Sequence, residues 1–408
     1  MSEAKELPKL AQLRDVDRVL SEAEYYHACI GRHPRTTYPP RQIIFVIEGH
    51  ADGVRIPWQS AIDKVVAVNP GARLRLAGSR QHARWLSDGV GPRLRILEQC
   101  NWDGRSEIGA EFIYSTRLSL EEGPTAELII AGAGSTSKVI FRVLHAAMDG
   151  IGVMHFFQEL FRALRGETLL GTNAAFSDTD LMLHVDAQLC TELSFQPASL
   201  TGMAQGSEVG HTWRRISLKH SRNLLARTAL AVGEFSRGKS DTPVRIGVPV
   251  NLRRHVPGLL STMNFSNMIL VDVAEKDTVS DIKYRMQDML NRNVDAGFPK
   301  FGSLVRYLPF SWLDWISTST EKNYTSPRIL ETAVLSNLGN YSRDDLACNG
   351  FRPVCLYGIP IESNCFSIAF GLQGRVELTI GMARVFASGG RLDELVEFLE
   401  RRLEAGAV

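Results

Sequence analysis

The run FRVLHAAMDGIGVMHFFQELFRALRG (141–166) holds His145, Asp149 and Gly150, three residue types suited to chemistry. Histidine is the side chain whose ordinary pKa lies nearest neutrality, which makes it the default general base. Asp149 has two readings. It can orient the imidazole, as the acid of a catalytic triad does, or leave the site and pair with an arginine, which would make it structural. The spacing does not choose between them. Ala146, Ala147 and Gly150 keep the surroundings small, so a narrow substrate can approach the backbone closely. A chance match to H-x-x-x-D-G in 408 residues has a probability on the order of a few per cent at average composition. Placement between a strand and a helix strengthens the signal.

The elements around the motif must hold it. SKVIFRVLH reads as the strand before it. After Gly150, Val153, Phe156, Phe157, Leu160, Phe161 and Leu164 fall on one helical face, read as core packing. Upstream, Ser21 and Glu24 have capping-box spacing, so a helix starts there and ends near Gly31. RQIIFVIEG is rich in β-formers but alternates poorly, as a buried strand does. WQSAIDKVV reads as a helix. Pro70 and Gly71 then punctuate the chain before another strand, and PTAELIIAGAG supplies one more.

From Gly166 to about Gly210 the chain turns rich in Gly, Ser, Thr and Pro, with one short helix expected over Thr179–Leu189. Beyond it, TWRRISL, PVRIGVPVNL, NMILVDVAE and ETAVLSNLG read as strands. NLLARTALAVGEFSRG and VSDIKYRMQDMLNRN read as helices. CFSIAFGLQGRVELTIGMA reads as a hairpin, and RLDELVEFLERRL as a closing amphipathic helix. Strict βαβ alternation is missing, which predicts an α+β fold with mixed or antiparallel sheets. The expected division is an N-terminal lobe (1–175) carrying the motif, a crossing linker (176–210) and a C-terminal lobe (211–408).

Composition narrows the function classes. A chain of 408 residues exceeds what one core of ~250–300 residues supports. A formal net charge of +1 gives no electrostatic reason to expect nucleic acid as a partner. No uncharged apolar run approaches the ~20 residues of a membrane span. The first twenty residues lack the pattern of a signal peptide. The six cysteines are scattered and form no CxxC pair, which suits a reducing compartment. A cytoplasmic location is therefore expected. Metal spacings, Walker motifs and dinucleotide signatures are missing, so no bound metal or nucleotide is expected.

HAAMDG resembles the HHxxxDG signature of the chloramphenicol acetyltransferase-like superfamily. Within it, the likeness is to condensation domains of nonribosomal peptide synthetases and related stand-alone acyltransferases. The signature's second histidine falls on His145. VNPGARLRLAG, NLLARTALAVGEF, VPVNLRR, MNFSNMIL and VLSNLG resemble family segments in the same order, so the likeness covers roughly residue 15 onward. Two departures stand out. Leu144 occupies the place of the first histidine, and the DFGWG segment of plant-type acyltransferases is missing, which pulls the reading toward the condensation type. The resemblance implies two chloramphenicol acetyltransferase-like lobes in a V-shape with a substrate tunnel between them. It implies an acyl thioester donor on a phosphopantetheine arm, from acyl-CoA or an acyl or peptidyl carrier protein, and a small-molecule amine or alcohol acceptor. His145 would serve as base, with no covalent enzyme intermediate, which suits the missing GxSxG elbow. The setting implied is specialised metabolism, by a unit without its own carrier or adenylation domain.

Further residues carry two readings each. Arg253, with Arg254 second, is the candidate partner of Asp149; the plain alternative is a solvated arginine at a strand end. Ser336 and Asn337 are candidate oxyanion donors or a strand-end turn. Asn264, Ser266 and Asn267 are candidate tunnel residues or a polar strand start. His155 reads as a packed or solvated histidine. The rival functions are a CoA-dependent alcohol or amine acyltransferase and a catalytically silent docking module. A third is cyclisation, dehydration or isomerisation of a carrier-bound substrate by the same base.

Overall fold

The computed structural model describes residues 8–32, 40–132, 135–188, 197, 199–297, 306–315, 331–361 and 365–404. In chain order these include β1 (Asp17–Val19), α1 (Glu22–Cys29), β2 (Gln42–Ala51), α2 (Trp58–Val68), β3 (Arg75–Ala77), β4 (Arg84–Leu86) and β5 (Arg93–Leu97). There follow β6 (Ala126–Ala131), β7 (Ser137–Leu144), α3 (Gly150–Leu164) and the short α4 (Asp178–Met182). The second half runs β8 (His211–Lys219), α5 (Leu224–Arg237), β9 (Val244–Asn251), β10 (Ser266–Val273), α6 (Val279–Asn291) and β11 (Ala333–Tyr341). It ends with β12 (Phe351–Gly358), β13 (Cys365–Leu372), β14 (Arg375–Ala383) and, after one helical turn, α7 (Arg391–Glu404).

The fold is α+β with mixed sheets. A five-stranded sheet has the order β12-β2-β7-β6-β5, and a six-stranded sheet the order β10-β9-β11-β13-β14-β8. Strands β1, β4 and β3 form a small third sheet. β12 comes from the second half of the chain but pairs antiparallel with β2 in the first sheet. β11 and β13 are parallel neighbours.

β2 shows why its sequence alternates poorly. Phe45 and Ile47 enter the core under α3, whereas Ile44 and Val46 face a second cluster with Trp102, Trp213 and Tyr357. A strand covered on both faces reads as a continuous apolar run. The apolar face of α3 is buried as its spacing requires. Phe156, Phe157, Leu160 and Phe161 are fully covered, with Phe156 stacked on Phe141 of β7 at 4.4 Å between ring centroids. Leu164 is only partly buried. At α1 both hydrogen bonds of the Ser21–Glu24 capping box are made.

The helix expected over Thr179–Leu189 is shorter. It starts at a Ser177–Asp180 capping box and stops at Met182. Leu181 and Met182 are buried but Leu183 is 55% exposed, so the buried face of the helix ends at Met182. Leu189 lies outside the described residues. Among the described residues no helix is long and apolar enough to cross a membrane, and no group of three or more His, Cys, Asp or Glu could hold a metal ion.

A polar cluster ties the two large sheets together. Glu48 on β2 accepts from the Tyr357 hydroxyl at 2.8 Å and faces Lys138 Nζ and Arg215 Nη1, each at 3.5 Å. Arg215 on β8 lies over the Tyr357 ring at 4.0 Å and reaches Glu377 on β14 at 3.7 Å. Removing the carboxylate leaves two largely buried cations short of their counter-charge. Glu48→Ala should cost about 1–3 kcal/mol, below the roughly 3–5 of a fully buried pair, because Glu48 keeps some exposure. Denaturant unfolding should show a lower midpoint; an unchanged midpoint would mean the cluster does not hold the sheets.

Candidate active site

β7 ends at Leu144, and His145–Ala147 make a turn before α3 begins at Gly150. The turn is pinned from two directions. The His145 N–H donates to the Arg41 carbonyl at 2.9 Å. The Asn264 side-chain amide donates to the carbonyls of His145 and Ala146 at 3.0 and 2.8 Å.

Asp149 caps α3, accepting from the Gly152 N–H at 2.6 Å through Oδ1. Its Oδ2 accepts from the Phe265 N–H at 2.6 Å. Both oxygens also meet the Arg253 guanidinium, at 2.9 and 3.1 Å. Arg253 in turn donates to the carbonyls of Ser261 and Met263 and to Asn251 Oδ1. The acid and the arginine are both buried. Asp149 thus binds the start of a helix to the 251–265 segment, through two backbone amides and Arg253. Arg254 goes elsewhere, to Asp295, together with His255. Burial alone would raise the Asp295 carboxyl, but hydrogen bonds from His255 and Arg254 prevail and hold it at about 2.

The glycines explain the tightness of this joint. A Cβ on Gly152 would stand 2.2 Å from the Thr262 carbonyl oxygen, and one on Gly71 2.4 Å from Thr262 Oγ1. The 261–265 segment therefore lies against two backbones. Gly150 is different: its Cβ would meet only side-chain ends, Leu338 Cδ2 at 3.0 Å and Phe45 Cζ at 3.3 Å.

Beside the turn lies a cavity of about 180 Å³, walled mostly by apolar side chains. His145 and Gly150 line it, with Phe45, Leu338, Ile359 and Phe366. Its walls come from both large sheets. Ser336 and Asn337 of β11 also line it, as does Ser266 at the start of β10. Asn337 is exposed and its Oδ1 accepts from the Gly339 N–H at 3.1 Å, a strand-end turn within β11. Asn264, expected in a tunnel wall, is instead buried beneath the His145 turn, because its amide is taken by two carbonyls there. Asn267 points to the Asp295 carbonyl at 2.7 Å. His155 is packed on α3 against the Gly171 carbonyl at 3.0 Å.

One residue was not foreseen. His27 of α1 stacks on His145 with 3.8 Å between ring centroids and 10° between planes. Nothing in LSEAEYYHACIG marks it, since the contact spans 118 residues of chain. Gly152 and the Arg41 carbonyl were also missed. A signal for Gly152 existed in the second glycine of DGIG.

No family model matches the chain, and neither does any curated protein. Solved structures do. The starter condensation domain of rhizomide synthetase, in complex with C8-CoA, is similar at a TM-score of 0.64 and 15% identity over 96% of each chain. The first condensation domain of the calcium-dependent antibiotic synthetase, in complex with a substrate analogue, gives 0.64 and 16% over 96% of each. The epimerization domain from the third module of tyrocidine synthetase B gives 0.57 and 12%, over 97% of this chain and 98% of that one. The chain therefore has the two-lobed chloramphenicol acetyltransferase-like fold of condensation domains.

Removing only the acid from the buried pair strands a guanidinium and should cost roughly 3–5 kcal/mol. Asp149→Ala should unfold at markedly lower denaturant than the parent. A double-mutant cycle with Arg253→Ala should give a coupling energy well above the ~0–1 kcal/mol of a surface pair. A stable Asp149→Ala protein would show that the joint does not rely on this ion pair. Gly152→Ala should destabilise more than Gly150→Ala, because only the former meets a backbone carbonyl.

Proposed function

We propose that this protein is a condensation-type acyltransferase that moves an acyl group from a thioester onto an amine or hydroxyl, with His145 as the base. One observation carries the reading. His145 lines a cavity walled by both sheets, on a turn held by the Arg41 carbonyl on one side and by Asn264 on the other. Such fixing suits a base that must meet a proton within hydrogen-bond reach.

The donor is an acyl thioester on a pantetheine arm, borne by coenzyme A or by an acyl or peptidyl carrier protein. A structural neighbour was crystallised with C8-CoA, which supports trying acyl-CoA donors first. The acceptor's N–H or O–H gives its proton to the His145 imidazole as the nucleophile attacks the thioester carbonyl. The new C–N or C–O bond forms, the C–S bond breaks, and the proton passes on to the departing thiolate. Ser336, whose residue lines the same cavity, is the better candidate to donate to the oxyanion. Asp149 and Arg253 serve the geometry and take no part in the proton transfer. Natural-product assembly is the setting in which such a transfer is used.

His145→Ala should keep the fold and lose about 100- to 10,000-fold in turnover. The assay is intact mass spectrometry of acyl-CoA and acyl-carrier donors with small amines and alcohols. Transfer shifts the acceptor mass by the acyl group, whereas isomerisation leaves it unchanged. Wild-type turnover in the variant would remove His145 from the chemistry and favour the docking reading.

Gly150→Trp should fold, since a Cβ there meets only the ends of Leu338 and Phe45 and the indole has the cavity to enter, and it should fill the space beside the base. Donor use should fall, seen as a raised KM or loss of turnover while the circular dichroism spectrum is unchanged. Normal kinetics in a folded Gly150→Trp protein would place the donor path elsewhere.

A further inference from the structure

Two cavities meet at the histidine pair. His145 lines the apolar one, and His27 lines a larger one of about 550 Å³ on the side of α1. Gln42 lines both, which makes the two spaces neighbours across the stacked rings. The larger cavity is polar and mostly basic, with Arg32, Arg41, Arg117 and Arg142 set against Glu121.

His27 is a buried titratable group that the proposed reaction does not use. Its Nδ1 is buried and has no hydrogen-bond partner among the described residues. A buried polar atom left unpaired is costly, so it is retained only where something else requires the side chain. Core packing would be met more cheaply by Phe or Leu. The ring is held from both sides: Tyr26 meets it edge-on at 5.7 Å, with Arg41 over the Tyr26 ring at 5.3 Å, and His145 covers its face.

We propose that His27 is a positioning residue for His145: its ring, stacked face to face, holds the imidazole at the junction of the two cavities and leaves the reaction's proton to His145. The inference rests on the reading of His145 as the base. The charges around the pair agree with it. Burial chiefly, then His145 and then Arg41, hold His27 well below the ordinary histidine range. Across the polar cavity Arg32 is paired with Glu121 and Arg142 with Glu127, which leaves Arg41 as the arginine that acts on His27. On the far side Asp149 is already engaged by Arg253. Two imidazolium rings 3.8 Å apart would repel strongly, so a single positive charge is the most the stack accommodates.

Stacked rings do not share a hydrogen bond, so His27 is not a relay. It restricts the rotation of His145 about its side-chain bonds and shields one ring face from water. A base held this way stays aimed at the acceptor as charge develops on it.

The test has two arms. Imidazole NMR on the resting protein, without substrate, reads both titrations. His27 should titrate well below the ordinary histidine range. In His145→Phe, which keeps a ring but no charge, the His27 titration should move upward. A His27 that protonates across that range in the parent, or does not move in His145→Phe, overturns the inference. The kinetic arm compares two variants. His27→Ala should lower kcat by about 10- to 100-fold with little change in KM. His27→Phe, which keeps a flat ring, should restore most of that loss. Parental kcat in His27→Ala overturns the inference, as does a His27→Phe protein no better than His27→Ala. The titration arm needs no substrate, so it judges the ring pair even where the base assignment fails.

Discussion

The site depends on one buried ion pair. Asp149 and Arg253 are 104 residues apart and both nearly excluded from water. Burying two charges costs several kcal/mol per ion, and their attraction compensates only when every remaining polar atom nearby is also engaged. Here the acid accepts from two backbone amides and two guanidinium nitrogens. The two terminal guanidinium nitrogens also donate to two carbonyls and an asparagine, and only the buried Nε has no hydrogen-bond partner among the described residues. The pair therefore specifies a geometry: the start of α3, the end of β9 and the 261–265 segment can meet in one arrangement only. His145 inherits its position from that arrangement, since Asn264 holds its turn from the same segment.

Sequence reading reached the part of this that is contiguous. The imidazole, the acid at a helix start and the glycine lie within six residues, and the elements on either side have clear periods. The run after Gly150 shows its 3.6-residue spacing because one face of α3 is buried against β7 and α2. α4 was drawn too long because its polar residues form helix as readily as turn, and only burial of Leu181 and Met182 decides where it stops. β12 escaped notice since Pro353 and a register shift beside it interrupt the strand, and its partner β2 lies some 300 residues away by number. Such pairings are set by tertiary packing, which local spacing does not record.

The same limit applies to His27. Its helix carries a clean capping box, so the sequence announces α1 but not which way His27 faces. The stack exists because α1 docks beside the end of β7, an event that involves the first sheet as a whole. Gly152 illustrates a middle case. A second glycine in DGIG suggests a close approach without saying to what, and the Thr262 carbonyl that answers the question comes from another segment.

Leu144 gains a meaning from this geometry. In HHxxxDG-type sequences a histidine precedes the one at His145; here the position is a buried leucine in the wall of the polar cavity. The space against the His145 ring is filled instead by an imidazole from α1. Leu144 is the last residue of β7, and His145 opens the turn that follows it. A helix approaching from the side supplies the parallel ring. The chain thus places two stacked histidines at the site and draws them from two elements.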